Sequence, residues 1–163
     1  MYKMEYEPLF KKIVSSKKPG YDINEDDLVD IENNYGFVFP QILKEFYLGY
    51  NGASIKELYV SVGYHEFGIH HIFPVRYRWK YEGNTVVPER ADKGQLEYFM
   101  DMSSDIDSIR ANNLVLFADD VGGDEYFWQI GTGTVYLIRF DDVDEPILAF
   151  ESVEAFFRAF ASV

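Results

Sequence analysis

Two stretches decide how this chain is read: Tyr35-Gly36-Phe37-Val38-Phe39-Pro40, running on through Leu43-Lys44-Glu45-Phe46-Tyr47 to Asn51-Gly52, and Phe117-Ala118-Asp119-Asp120-Val121-Gly122-Gly123-Asp124-Glu125-Tyr126. The first predicts a helix that stops at Gly36, where a left-handed residue suits glycine. It then predicts a helix with Pro40 in its first turn, where a missing amide would be unpaired anyway. Leu43, Phe46, Tyr47 and Tyr50 give that helix a buried stripe before Asn51-Gly52 turns the chain. The second stretch reads as strand, glycine turn and strand. Leu114 to Ala118 is a continuous apolar run, as in a strand covered on both faces, and Gly122 and Gly123 permit positive φ in the turn.

Working outward, Tyr6, Leu9, Phe10 and Ile13 recur at helical spacing, and Lys17-Lys18-Pro19-Gly20 closes that helix. Asn24 caps the next, with Glu25, Asp26 and Asp27 in its first turn and Leu28, Ile31 and Tyr35 facing inward. Residues 54–62 and 67–75 are rich in β-branched and aromatic side chains and read as strands. Gly83-Asn84, Pro88 and Gly94 mark a less regular excursion, with a short helix around Leu96, Phe99 and Met100. Residues 126–130 and 134–140 are strands joined at Gly131-Thr132-Gly133. Ser152 caps a last helix whose Val153, Phe156, Phe157 and Phe160 form one stripe. This order predicts an α+β fold, with N-terminal helices, a central mostly antiparallel sheet and a C-terminal helix packed on it, as a single domain over residues 1–163.

Composition narrows the partner class. The 163 residues are 47% hydrophobic and 18% aromatic, so rings must fill much of the core. Acids outnumber bases 28 to 15, for a net charge of −13, which disfavours nucleic acid because phosphate binding depends on lysine and arginine. With no cysteine there is neither a disulfide framework nor a thiolate. Met1-Tyr2-Lys3-Met4-Glu5-Tyr6-Glu7-Pro8 has acids where a secretory signal needs a basic start and an apolar run, and no stretch is long and apolar enough for a membrane span. The expectation is a cytoplasmic protein with no membrane partner.

In their order and combination, several segments resemble the SUKH superfamily of bacterial toxin-immunity proteins and fungal regulators of the Smi/Knr type. They are the acidic helix ending in Tyr35-Gly36, Phe39-Pro40, the aromatic helix with Asn51-Gly52, Leu116 to Tyr126, Val135-Tyr136 and the Phe-rich last helix. The likeness runs from Ile23 to Phe160, with Ala53 where relatives often carry a second glycine. It implies an intracellular binder, without catalysis or cofactor, that neutralises a cognate toxin domain, commonly a nuclease.

Acids cluster at 22–32, at Asp119, Asp120, Asp124 and Glu125, and at Asp141, Asp142, Asp144 and Glu145. Nuclease domains are often basic, so an acidic surface would steer and hold one. Asp119, Asp120, Asp124, Glu125, Tyr126, Asp141 and Asp142 are therefore the candidate partner-binding residues. A plainer account stands beside this one: the clusters are solvated loops and a helix face, and Asp120 or Asp124 bonds local turn amides.

Other chemistries fit less well. A calcium loop begun at Asp120 would place Gly131 where a bidentate Glu belongs. His65, Glu66, His70 and His71 lack the His-Glu-x-x-His spacing, and in a strand His70 and His71 would point to opposite faces; no metal site is expected. A hydrolase would use Asp119 with Asp124 or Glu125 as its carboxylate pair. A peptide-binding scaffold would draw on Tyr59, Tyr64, Tyr77, Trp79 and Tyr81 and on the basic run Arg76-Tyr77-Arg78-Trp79-Lys80.

Overall fold

The computed structural model describes residues 4–163; Met1, Tyr2 and Lys3, part of the start read above against a secretory signal, lie outside the described residues. The chain opens on α1 (Glu7–Ile13), which ends several residues before Lys17-Lys18-Pro19-Gly20 because the backbone turns extended at Val14 and enters β1 (Val14–Ser16). Asn24 caps α2 (Glu25–Tyr35) through a reciprocal capping box: its side chain accepts from the Asp27 amide at 3.0 Å and the Asp27 carboxylate accepts from the Asn24 amide at 3.1 Å. Gly36 ends α2 in the left-handed region at φ 73°. Pro40 stands at the N-cap of α3 (Gln41–Tyr50), one residue outside the expected place.

The expected strand 54–62 is broken into β2 (Ser54–Ile55) and β3 (Leu58–Val62), and the next into β4 (His65–Ile69) and β5 (His71–Ile72). The region read as an irregular excursion is instead a regular hairpin, β6 (Tyr77–Glu82) with β7 (Thr85–Arg90), before α4 (Gln95–Ser103). Pro88 misled the reading. It faces Trp79 in a two-stranded ribbon, where a missing donor can point away from the ladder. A short helix, α5 (Asp107–Ala111), then leads into β8 (Leu114–Asp119), β9 (Glu125–Gln129), β10 (Val135–Arg139) and β11 (Asp142–Phe150). The chain closes on α6 (Val153–Ala161), capped by Ser152, whose hydroxyl accepts from the Ala155 amide at 2.9 Å.

The main sheet has the order β11-β10-β9-β8-β5 and every pairing in it is antiparallel. Leu114 to Ala118 are all buried, so β8 is covered on both faces, as its continuous apolar run requires. The strand β11 was missed because its acids read as loop. It is an edge strand, where Pro146 is tolerated and charge deters pairing with other chains.

Aromatic rings join the layers. Phe10 of α1 meets Phe46 of α3 and Phe157 of α6 edge-on, both at 5.3 Å, and Phe156 of α6 meets Phe117 of β8 at 5.0 Å and Tyr126 of β9 at 5.1 Å. Such pairs add about 0.5–1.5 kcal/mol each beyond the area they bury.

Asn51 does more than turn the chain. It is buried, and its amide nitrogen donates to the carbonyls of Tyr21 and Val75, both at 2.9 Å, while its oxygen accepts from the Val75 amide at 3.0 Å. Gly52 has φ 76°, and a Cβ there would lie 2.3 Å from the Tyr21 ring. The pair thus ties the end of α3 to the segment before α2 and to the chain beyond β5. Asn51→Ala should lower stability by roughly 3 kcal/mol, since three buried backbone groups lose their partner. Asn51→Asp, of equal size, should fall nearly as far because a carboxylate donates nothing. Urea midpoints at constant slope measure both, and a neutral Asn51→Asp would remove the donor argument.

Candidate functional site

The turn between β8 and β9 is built by its own aspartates. Asp120 donates its amide to the Asp124 carbonyl at 2.9 Å, and the Asp120 carboxylate accepts from the Asp124 amide at 3.0 Å. Gly123 takes φ 90°, whereas Gly122 has no positive φ, so only one of the two glycines meets the backbone need expected of both. The Asp124 carboxylate reaches across to accept from the Phe140 amide at 3.2 Å. That bond joins the β8–β9 turn to the β10–β11 turn. Two acidic clusters that are separate in sequence therefore share one end of the sheet.

Between residues 119 and 145 the chain holds eight acids and one base, Arg139. Among the described residues, no lysine or arginine forms an ion pair with any of the eight; Asp119 pairs with His71 alone. Asp141, Asp142, Asp144 and Glu145 are exposed, while Asp119, Asp120, Asp124 and Glu125 are partly buried. Phe140 lies beside them with 70% of its surface exposed, and Val121 in the turn is exposed too. Sequence reasoning placed Phe140 at a strand end and gave it no role. Its adjacency to Asp141-Asp142 at the hairpin tip was the available signal.

Burial, and then the charge of Asp119 opposite it, push the Glu125 carboxyl up to about 7. Burial also raises Asp120, despite the backbone bond from Asp124 that favours its ionised form. Tyr126 departs from the expectation of a partner contact. It is 0% exposed, its ring packs on Phe156, and its hydroxyl donates to the Gly68 carbonyl at 2.5 Å. Strand alternation puts it on the opposite face of the sheet from its partly buried neighbour Glu125, so it supports the turn from the helix side.

Three of the six acids in the cluster at 22–32 are paired within the protein. Asp27 is buried and pairs with Arg90 at 2.5 Å and with Arg76 at 3.9 Å, and Asp30 pairs with Arg76 at 3.7 Å. Burial opposes ionisation of Asp27, yet the Arg90 guanidinium and the Asn24 amide hold its carboxyl below the usual range. Glu32 pairs with Lys44 at 3.4 Å and accepts from the Phe39 amide at 2.7 Å. The basic run is engaged in the same way: Arg76 is buried, Arg78 lies 4.8 Å over the Tyr98 ring, and Lys80 pairs with Glu89 at 3.5 Å.

The histidines also differ from expectation. His70 precedes β5 and is not held in its pleat, so the imidazoles of His70 and His71 do not diverge; their ring centroids are 3.8 Å apart. His71 stands opposite Asp119 in the β5–β8 register and its Nδ1 lies 3.0 Å from the carboxylate.

An α+β fold with an uncompensated acidic end is thus the frame in which this chain must act. The family model of SMI1 / KNR4 (SUKH-1) matches residues 22–159, and the chain belongs to that family. No curated protein matches it, and no solved structure does. The match begins after α1, although Phe10 and Ile13 of that helix are fully buried in the core. No helix among the described residues is long and apolar enough to cross a membrane.

Glu125 generates a pH prediction. Its folded-state pKa, about 7, lies above the ordinary 4.5, so folding favours the protonated form. Its stabilising contribution is complete below the lower value and is lost as pH rises through the higher one. Glu125→Gln should therefore be relatively more stable than the parent at alkaline pH, with the difference opening between those two values. Urea unfolding of both proteins across that range in EDTA-containing buffer measures it; parallel profiles would contradict the assignment.

Proposed function

We propose that this chain is a non-catalytic immunity protein, a single Smi/Knr-type domain that binds a cognate bacterial toxin domain in the cytoplasm. It neutralises the toxin by covering its active site or substrate surface. The observation that carries this reading is the paired hairpin tip, where eight acids have no lysine or arginine partner among the described residues and an exposed phenylalanine joins the two turns through its amide. Membership in the SMI1 / KNR4 family supports it. A basic, nuclease-type toxin suits the charge. Long-range attraction would speed encounter, and Phe140 would supply an apolar anchor within a polar rim.

The alternative, a regulatory scaffold recognised through the basic-aromatic run, has fewer anchors to use. Arg76 and Arg78 already have partners inside the protein, which leaves chiefly the exposed Tyr59, Tyr64 and Tyr81. A carboxylate hydrolase built on Asp119 with Asp124 or Glu125 is disfavoured because Asp119 accepts from the His71 amide and Asp124 from the Phe140 amide, so both serve the fold.

Coexpression with the toxin domain encoded beside it should restore growth of a bacterial host. Equal lethality with and without this chain would reject the immunity reading. Asp141→Lys with Asp142→Lys, both exposed, should slow association by about tenfold or more at low salt and flatten its salt dependence. Unchanged association with growth still restored would move the interface away from the tip while leaving immunity intact.

A further inference from the structure

His70 and His71 meet Asp119 in a constellation whose two histidines have no part in the partner-binding reading. The His70 amide donates to the Asp119 carbonyl at 2.9 Å, and the His71 amide donates to the Asp119 carboxylate at 2.9 Å. Nδ1 of His71 faces both carboxylate oxygens, at 3.0 and 3.3 Å. One donor atom from each of the three side chains lies within 4.8 Å of the other two. We propose that His70, His71 and Asp119 are the protein ligands of a zinc(II) site at the edge of the main sheet.

Two imidazoles and one carboxylate are a donor set of zinc sites that keep a fourth position open. Two nitrogen donors in three select against calcium and magnesium, which take oxygen. Zinc–ligand bonds of 2.0–2.2 Å in a tetrahedron put donor atoms roughly 3.4 Å apart. The His71–Asp119 separation already meets that spacing. The donor atom of His70 lies within 4.8 Å of the other two, and zinc binding requires this exposed ring to close the remaining distance.

The two partly buried ligands are oriented before any ion arrives. The Asp119 carboxylate is fixed by the His71 amide, and the His71 ring sits between the His70 ring and Trp79, whose centroid is 5.0 Å away. In the zinc-bound state His71 carries its proton on Nε2 and offers Nδ1 to the ion, which lies between Nδ1 and Asp119. Asp120 and Asp124, without lysine or arginine partners among the described residues, add a field that favours a cation there. Because His70 is exposed, the fourth position opens to water.

The test uses the tag-free full chain, stripped with chelator and titrated calorimetrically with zinc chloride. Saturation at one zinc per chain is the expected result, with visible cobalt(II) bands of tetrahedral intensity when cobalt replaces it. His70→Ala should weaken zinc by at least about tenfold, the scale of losing a metal-site contact, while its circular dichroism and melting stay unchanged, since the ring it removes is exposed. Asp119→Asn should weaken binding as well. Absence of saturable binding overturns the site. Unchanged affinity in His70→Ala also overturns it, and displacement of zinc by millimolar calcium overturns the choice of ion. None of these three results bears on toxin neutralisation, which is read separately by host growth.

Discussion

The Asn51 side chain is the constraint on which the two halves of this molecule depend. Helices α1, α2 and α3 come before any strand of the main sheet, so the chain must register a finished helical layer against strands that follow it. Asn51 does this with three backbone bonds, to Tyr21 on one side and to both polar groups of Val75 on the other. A hydrophobic contact would tolerate sliding, whereas a planar amide with fixed donor and acceptor ends accepts only one arrangement. Gly52 follows because the Tyr21 ring occupies the space a side chain would need. Once the segment is fixed, Phe10, Phe46, Phe156 and Phe157 interlock between helices and sheet at geometries that single-residue changes would disturb. Loss of one such ring costs about 3–5 kcal/mol.

Charge is divided in the same purposeful way. A chain with 28 acids and 15 bases has too few cations to neutralise every cluster, so where they are placed decides which acids stay free. Arg76 and Arg90 converge on Asp27, and Lys44 pairs with Glu32. Asp27 and Glu32 of α2 are thereby tied into the fold, and Asp27 also serves its capping box. At the joined hairpin turns, eight acids have no lysine or arginine partner among the described residues. There their charge is close to solvent, where a partner's cations can replace water without first breaking an internal ion pair.

How much of this was legible follows from the range of the interactions. Elements set by local rules were readable: the Asn24 cap, the stop at Gly36, the Leu43-Phe46-Tyr47-Tyr50 stripe and the last helix all obey spacing within a few residues. The hairpin over residues 77–90 was obscured by Pro88, and β11 by its acids, because an edge strand violates the composition of a central one. At the site, the turn and its acids were visible, but their union with Asp141 and Asp142 rests on the Phe140–Asp124 bond, which no local pattern encodes. Tyr126 was misplaced for want of a register, since adjacent strand residues differ in face. His70 and His71 were misplaced for the opposite reason: strand alternation was applied to a residue just outside the strand.

The separation of scaffold from tip has a consequence for how such a protein can change. Asp141, Asp142, Asp144 and Glu145 project from a turn and an edge strand, so substitutions there disturb little packing and stability constrains them weakly. Asp119, Asp120 and Asp124 are different, because each also bonds a backbone amide that holds β5, the turn or the neighbouring hairpin. If the proposed partner binds here, such a surface would keep its position through the second kind while its specificity varied through the first. On the proposed reading, the fold would present its negative end in one place while the outer acids were free to change with the partner.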